Sequence, residues 1–450
     1  MCISSRSMRY LLLFYISAAP IAAQQDASGD DAKALLFEVR NKVVQTVNRL
    51  PKYMCTETTD RITLVPERKV SIKSCDDLAS RRKRADWKVR KSKSDRFRLD
   101  VATGGANEMY SWAGANRFED RELGDLVRGG TTSTGAFSAF LGSIFGTGAA
   151  DFTYQGDVNA AGRTLAEFGF SVSRAMSSHR IGDKLHSAIV AYEGTFVVDP
   201  KTFDLVRLTV MADRLPEEIN ACQEITTLDY ANVQLNNAGF LLPTNARLQI
   251  VDREGSELEN RTVFSGCHEF HTESSIHFDS APQDTTDSAK AVAKSLFLPP
   301  RLSLRIALTQ AIDPATAAAG DTLKGKLTGP IKAKSGDVLV PAGATVTGRI
   351  LHIERLYGAT SESLAVAYRL ETIEVNGVTQ PFDASLKPTV RRRARSGSSL
   401  AVGQELGTFD QMFDREDKGV SFLEFKDMQA GHAINAGVVI EGLTAAPRQP

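Results

Sequence analysis

Two short sequence patterns combine residue types that could do chemistry. Cys267-His268-Glu269, followed by His271, offers metal ligands. Neighbouring side chains in a strand point to opposite faces, however, and the CxxC and HExxH spacings of zinc sites do not occur in the sequence. Ser80-Arg-Arg-Lys83 matches the SxxK pattern of serine acyl-enzymes, but that class also needs SDN-like and KTG-like partners, which the sequence lacks. The sequence therefore predicts neither a metal site nor an acyl-enzyme here.

A loop that resembles a calcium site also fails on its ligands. Asp414-Arg-Glu-Asp-Lys-Gly419 begins like an EF-hand loop, yet Lys418 and Phe425 stand at the fifth and twelfth positions, where oxygen ligands are required. The sequence contains no GxSxG elbow, and its seven histidines are scattered. We therefore predict a non-enzymatic protein that needs no metal or other cofactor.

The basic run from Arg81 to Arg98 is a candidate binding feature. It would bind a phosphate or a lipid head group, with Trp87 as a stacking surface. The alternative is a charged helix end followed by the outer face of a strand, because Phe97, Leu99 and Val101 alternate with charged residues. We favour this alternative.

A predicted β-hairpin from Ala188 to Asp213 is the element around which the chain is organised. Apolar residues recur with period two on both strands, which is typical of a half-buried sheet. The turn contains Asp199, whose side chain can bond the backbone two residues on, and Pro200, which fixes φ. The residues predicted to share the apolar face are Val190, Tyr192, Phe196 and Val198 on the first strand and Val206, Leu208 and Val210 on the second. This face needs a cover.

Two amphipathic segments are the predicted covers of that face. The first is a helix from Ala32 to Leu50, in which apolar residues recur every three or four positions. The second is a helix within Thr131 to Phe145, which is either a lid over an apolar cavity or a plug that fills the concave face of the sheet. The residues predicted to contact a ligand there are Phe137, Phe140, Leu141, Phe145, Tyr192 and Phe196.

The N-terminus and the cysteines predict an exported protein. Arg6 and Arg9 precede a short apolar stretch, Tyr10 to Ala19, as in a signal peptide cleaved near Ala23; an uncleaved anchor is the alternative. An even number of cysteines in the exported part favours disulfides, and three connectivities are possible. We predict the pairs Cys55–Cys75 and Cys222–Cys267, since each lies within one local segment. The expected location is the periplasm or the cell exterior.

The fold is predicted to be α+β and mostly β. At 450 residues the chain exceeds one ordinary domain, and its net charge of zero gives no field that would attract nucleic acid. No segment after the signal is apolar enough to span a membrane. The predicted parts are a signal peptide (1–23), a curved antiparallel sheet packed on helices (24–271), a linker (272–298) and a small β-barrel-like domain (299–446).

Parts of the sequence resemble known families. The N-terminal helix, the strand meander and the stretch GTFVVDPKTFDLVRL, residues 194–208, resemble the LolA/RseB-like lipoprotein-carrier superfamily over Ala32 to His271. That resemblance implies a curved sheet around an apolar cavity. The stretch GDVLVPAGATVTG, residues 336–348, is similar to the periplasmic barrel of TrbI-type conjugation channel proteins. The whole chain also resembles exported proteins of acidobacterial type.

These features support two functional hypotheses. The first is a carrier that binds a lipid, a lipoprotein or another apolar ligand in the concave face, and it predicts a cavity lined by Phe, Leu and Val. The second is an envelope scaffold that binds other envelope proteins through the C-terminal barrel. It predicts a filled N-terminal core and an exposed sheet edge or surface patch.

Overall fold

The fold is α+β and mostly β, with helices packed on a large antiparallel sheet. The predicted signal peptide up to residue 21, residues 272–297 of the predicted linker, and residues 414–418 of the calcium-like loop lie outside the residues that the structure describes. The structure is a computed structural model that describes residues 22–103, 108–115, 118, 122–132, 139–160, 162–182, 185–213, 215–236, 238–269, 298–358, 361–387, 389–392, 419–428 and 433–446.

Four α-helices and 23 strands make up this part of the chain. The helices are α1 (Ala22–Arg49), α2 (Cys75–Arg82), α3 (Leu123–Leu126) and α4 (Ala139–Leu141), which continues into a π-helical turn (Gly142–Gly146). The strands are β1 (Tyr53–Pro66), β2 (Val89–Thr103), β3 (Glu108–Trp112), β4 (Ala150–Ala160), β5 (Arg163–Val172), β6 (Arg180–Gly182), β7 (Ser187–Ile189), β8 (Tyr192–Val198), β9 (Leu205–Ala212), β10 (Gln223–Leu235), β11 (Ala238–Val251), β12 (Glu257–Glu269), β13 (Ser303–Leu308), β14 (Thr322–Leu327), β15 (Ile331–Lys332), β16 (Val338–Val340), β17 (Thr345–Tyr357), β18 (Glu362–Val375), β19 (Val378–Pro381), β20 (Ala384–Leu386), β21 (Thr389–Arg392), β22 (Val420–Met428) and β23 (Val439–Thr444).

The N-terminal strands form one antiparallel sheet in the order β4-β5-β8-β9-β10-β11-β12-β1-β2-β3. The predicted hairpin is confirmed as β8 and β9, with a turn in which the Phe203 N–H donates to the Asp199 carbonyl (2.7 Å). One residue was placed on the wrong face. A bulge pairs Val198 with Leu205, so Leu205 and not Val206 joins the buried face of β9.

The predicted N-terminal helix is confirmed as α1, and it packs against the sheet. Val39 and Val43 are buried in the core beneath the helix, as the apolar stripe predicted. Lys42 Nζ lies 2.7 Å from Asp204 Oδ1, beside the turn of the central hairpin. We call the sheet face against which α1 packs the inner face.

The C-terminal strands pair in the order β21-β22-β18-β17-β14-β13-β23-β20 and enclose one apolar core. The predicted turn at Asn376-Gly377 is confirmed between β18 and β19, and both residues have positive φ, as a two-residue hairpin of this type requires. The Leu386 N–H of β20 donates to Ser421 Oγ of β22 (3.3 Å), which brings the two ends of the ladder together. A closed barrel stays a prediction.

The two regions share a sheet, because β17 pairs with the middle of β2. Arg355 lies opposite Ser94, and the Arg98 N–H donates to the Ala319 carbonyl (2.8 Å). The N-terminal and C-terminal strands are therefore joined by backbone hydrogen bonds, although the predicted domain boundaries remain predictions. None of the helices within the described ranges is both long and apolar enough to cross a bilayer.

Candidate functional site

The inner face of the N-terminal sheet is covered by α4 and the π-helical turn, which we call the cover segment (residues 139–146). Near one end of the cover segment, the ring of Phe145 packs edge-on against Phe196 of β8, with ring centroids 5.0 Å apart. On the sheet itself, Phe168 stacks on Phe196 at 5.2 Å. Phe145 is 1% exposed and Phe196 is 0% exposed. The aromatic cluster is thus dry and fully packed.

The other end of the cover segment contacts polar groups. The Tyr192 hydroxyl donates to Ser143 Oγ (3.2 Å), and burial raises the pKa of Tyr192. Its ring packs edge-on against His179, which in turn contacts Phe140 at 5.4 Å. His179 Nε2 lies 3.0 Å from Glu224 Oε1. This end of the cover is therefore positioned by a few directional contacts.

The structure brings five of the six predicted ligand-contact residues into one core: Phe140, Leu141, Phe145, Tyr192 and Phe196. The sixth, Phe137, lies outside the described residues. A role of these residues in ligand binding stays a prediction. In the structure the cover segment packs into the core of the inner face, as the plug arrangement predicts.

A small cavity adjoins the cover segment at Phe140. Its volume is ≈ 30 Å³, which is room for about two water molecules and far too little for an acyl chain. Its apolar wall is formed by Phe97, Phe140, Leu228, Ala246, Leu248 and Phe264. The polar wall is formed by β1, β3, β10, β11 and β12, with Glu57, Thr59, Glu108, Tyr110, Thr226, Arg247, Asn260 and Thr262.

Glu57 is the buried carboxyl of that polar wall. Its Oε1 accepts a hydrogen bond from the Thr59 hydroxyl (2.9 Å), which lies 2.7 Å from the Thr262 hydroxyl. The pKa of Glu57 is raised to about 7, mainly by burial; the Thr59 hydrogen bond lowers it, and the nearby Glu108 adds to the rise. The Tyr110 hydroxyl donates to Glu108 Oε2. The carboxyl of Glu57 can therefore exchange a proton near neutral pH.

Sequence reasoning missed this polar wall. The sequence predicted a strand at residues 61–65 and a second short strand within Tyr53 to Ser74, whereas β1 is one continuous strand from Tyr53 to Pro66. Tyr53, Cys55, Glu57, Thr59 and Arg61 alternate as buried residues along β1. The sequence did contain a signal: an alternation with period two starts at Tyr53 and Cys55 and continues through polar residues. A search for apolar residues alone does not detect it.

The predicted disulfide pairing was wrong, although all four cysteines are bonded. The bonds are Cys55–Cys267 and Cys75–Cys222. β1 pairs with β12, and a bulge after Met54 places Cys55 beside Cys267. Cys75 begins α2, which packs over Val251 and Cys222 at the end of the sheet. Sheet pairing between distant segments therefore decides the connectivity, and two disulfides are typical of an oxidising compartment.

Several residues of the metal-like pattern and of the basic run have structural roles in the fold. Cys267 forms a disulfide with Cys55. The described residues contain no group of three or more His, Cys, Asp or Glu that could hold a metal ion. Trp87 packs against Leu78 and Val251 and is not a free stacking surface. Phe97 is buried in β2, as the alternation in the basic run predicted.

Comparisons with known proteins give only distant structural neighbours. No family model matches the sequence. No curated protein matches it either. The solved structures to which the chain is similar include a LolA superfamily protein from Nitrosomonas europaea, with 10% identity, a TM-score of 0.23 and coverage of 52% of this chain and 94% of that one.

Two further solved structures have comparable figures. A DUF1329 family protein from Desulfovibrio piger has 12% identity and a TM-score of 0.25, and the match covers 54% of this chain and 94% of that one. An outer membrane lipoprotein-sorting protein domain from Vibrio parahaemolyticus has 12% identity and a TM-score of 0.25, with coverage of 51% and 90%. Matches of this size establish neither a family nor a function for this chain.

Proposed function

We propose that this chain is an exported, non-enzymatic protein that binds an apolar or lipidated ligand on the inner face of its N-terminal sheet. One observation carries the proposal. The apolar part of that face is covered by α1 together with the short cover segment, which contains a π-helical turn. π-Helical turns are rare and occur frequently at functional sites. A ligand would displace the cover segment and take the place of its side chains.

The segment combines a large apolar contact with few directional bonds. Its buried side chains are Phe140, Leu141, Ile144 and Phe145. Among the described residues, three side chains outside the segment donate hydrogen bonds to it: the Tyr192 hydroxyl to Ser143, Arg40 Nη2 to the Phe145 carbonyl (3.3 Å) and the Thr147 hydroxyl to the Ser143 carbonyl (2.8 Å). The cover is therefore held mainly by apolar burial, which a ligand of similar chemistry can replace.

The magnitudes favour a long acyl chain over a small ligand. Uncovering four large apolar side chains costs about 6–12 kcal/mol, at roughly 1.5–3 kcal/mol each. Burying an acyl chain contributes about 0.8 kcal/mol per CH₂, so about fifteen methylenes supply roughly 12 kcal/mol. A chain of that length offsets the loss of the cover, whereas a ligand of a few carbons does not.

The experiment is a titration with a fatty acid that carries an environment-sensitive dye. Gly142 and Gly146 in the cover segment have no described atom within 4 Å of an added Cβ and no positive φ. Replacing both by Ala stabilises the covered state by about 0.4–1 kcal/mol each, which weakens binding roughly twofold to fivefold per site. Gly124→Ala in α3 is the matched control, since its Cβ is equally unobstructed.

The proposal requires that wild type and Gly124→Ala bind the fatty acid alike and that the double variant binds it more weakly. Equal binding by the double variant would show that the ligand does not displace the cover. Absence of uptake by the wild type would reject the carrier function itself.

A second candidate is an envelope scaffold or interaction protein that acts through the C-terminal strands. One observation favours it: buried side chains of the cover segment take up the core of the inner face, where a carrier would need room for a ligand. The same titration separates the two functions, because a scaffold takes up no fatty acid.

A further inference from the structure

A polar cleft lies where the two regions meet. β1, β2 and β12 form one wall, and β17 with the loop around Ala315 forms the other. The cleft has a volume of ≈ 200 Å³ and is open to solvent. It therefore has room for a ligand without any rearrangement of the fold, unlike the covered inner face.

Strand register explains why charged residues gather there. Asp60 of β1 lies opposite Arg96 of β2 and opposite Arg261 of β12. One step further along, Ser94 of β2 lies opposite Arg355 of β17. Paired residues on neighbouring strands share a face of the sheet. These side chains consequently point outward into the same cleft, on the face opposite the aromatic cluster.

The cleft has more positive than negative side chains. The cations that line it are Arg61, Lys91, Arg96, Arg261 and Arg355, and the carboxylates that line it are Asp60 and Asp95. Asp60 and Asp95 each accept a hydrogen bond from one of these arginines, Arg96 and Arg61 respectively. Arg355 and Arg261 pair with Glu362 and Glu259. A guanidinium has five N–H donors. Those of Arg61 are taken by Asp95 and by three backbone carbonyls, whereas the pairs of Arg96, Arg261 and Arg355 leave donors unused.

Two of the cations lie beside the ring of Tyr357. Lys91 Nζ lies 4.9 Å from the centroid of that ring, and the guanidinium carbon of Arg355 lies 5.5 Å from the same centroid. The Tyr357 hydroxyl lies 2.9 Å from Ser94 Oγ, which fixes the ring in the cleft. An anion that binds next to Tyr357 is attracted by both charges.

We propose that this cleft binds a phosphate group, with Lys91 and Arg355 as its main ligands. Arginine forks match the oxygens of a phosphate, and a lysine adds a point charge. The phosphate is either that of a small soluble molecule or that of a lipid head group. This inference does not depend on the proposed carrier function, since the cleft lies on the opposite face of the sheet.

The test uses the full mature chain and two probes. Binding of inorganic phosphate is measured by calorimetry. Binding to phosphatidylglycerol vesicles is measured by sedimentation and compared with binding to phosphatidylcholine vesicles. Lys91→Gln removes an exposed charge without altering the core. Arg90→Gln is the matched control, because Arg90 is the preceding residue of the same strand and does not line the cleft. Arg355→Gln tests the second cation.

We expect Lys91→Gln and Arg355→Gln each to bind the probe about tenfold more weakly than wild type, because each loses a charge-assisted hydrogen bond. Arg90→Gln should bind the probe as wild type does. If inorganic phosphate shows this pattern, the site accepts soluble phosphates. If only the phosphatidylglycerol vesicles show it, the source is a lipid head group. Absence of binding to both probes, or an equal loss in Arg90→Gln, would overturn the proposal.

Discussion

Phe145 of the cover segment and Phe196 of β8 pack edge-on, with ring centroids 5.0 Å apart. Both rings are almost completely buried. The contact joins the cover segment to the strand at the centre of the apolar face. An apolar ligand that reached Phe196 would therefore have to displace Phe145, so that the cover and the ligand compete for one surface.

Phe145→Ala should separate the stability of the cover from ligand binding. Removing a buried aromatic ring costs about 3–5 kcal/mol of unfolding free energy, measured by chemical denaturation. The same change weakens the cover, so the fluorescent fatty acid should bind more tightly. Phe37→Ala is the control, because Phe37 of α1 is 62% exposed and should change neither quantity. Weaker binding by Phe145→Ala would indicate that Phe145 contacts the ligand instead of competing with it.

Glu57→Gln should change how stability depends on pH. The folded-state pKa of Glu57, about 7, lies above the ordinary value of 4.5, so the folded protein binds more protons than the unfolded chain between these values. The contribution of Glu57 to stability is present at low pH and is lost as the pH rises through about 7. This loss lowers the free energy of unfolding by roughly 3 kcal/mol. Gln resembles the protonated acid and removes this loss.

The measurement is the unfolding free energy of Glu57→Gln and wild type at about pH 5 and about pH 8. The variant should gain stability over wild type only at the higher pH. Glu67→Gln, an exposed glutamate at the edge of the same segment, should show no such difference. A gain of equal size at both values would mean that the proton of Glu57 is not involved.

Asp95→Asn should be much more destabilising than Asp60→Asn. Asp95 accepts a bidentate bond from Arg61 (2.6 and 2.8 Å), and both side chains are at least nine-tenths buried. Removing one partner leaves a buried charge unpaired and costs about 3–5 kcal/mol. Asp60 forms an equally short pair with Arg96 (2.6 Å) on the exposed face of the same strands, which should be worth about 1 kcal/mol or less. Equal losses in chemical denaturation would contradict the assigned faces.

Non-reducing peptide mapping tests the strand pairing that joins the two ends of the N-terminal region. The expected cross-linked peptides contain Cys55 with Cys267 and Cys75 with Cys222. Replacing Cys55 and Cys267 together by Ser should cost about 2–5 kcal/mol, because the bond closes a long loop. A peptide that links Cys55 to Cys75 would contradict the pairing of β1 with β12.

Local patterns predicted the elements that bury one apolar face. The period-two alternation around Phe196 predicted β8 and β9, the stripe through Val39 predicted α1, and Asn376-Gly377 predicted the turn between β18 and β19. Each of these signals depends on residues that are close in the sequence, which is why they were readable without a structure.

Features that depend on distant segments were not predictable in this way. The partner of Cys55 follows from the pairing of β1 with β12, whose cysteines lie 212 residues apart. The displacement of Val206 from the buried face follows from a bulge in β9, which appears only when β9 is paired with β8. Glu57 was overlooked because a buried carboxyl is identified by what surrounds it, and the cavity beside Glu57 is lined by six strands and Phe140.

The carrier function is tested most simply by native mass spectrometry of the mature chain, purified from the periplasm without detergent. If the chain is a carrier, we expect a protein mass with one bound molecule, which organic extraction then identifies as carrying a long acyl chain. A ligand-free mass, combined with no uptake of the fluorescent fatty acid, would contradict the carrier function and leave the scaffold function as the better explanation.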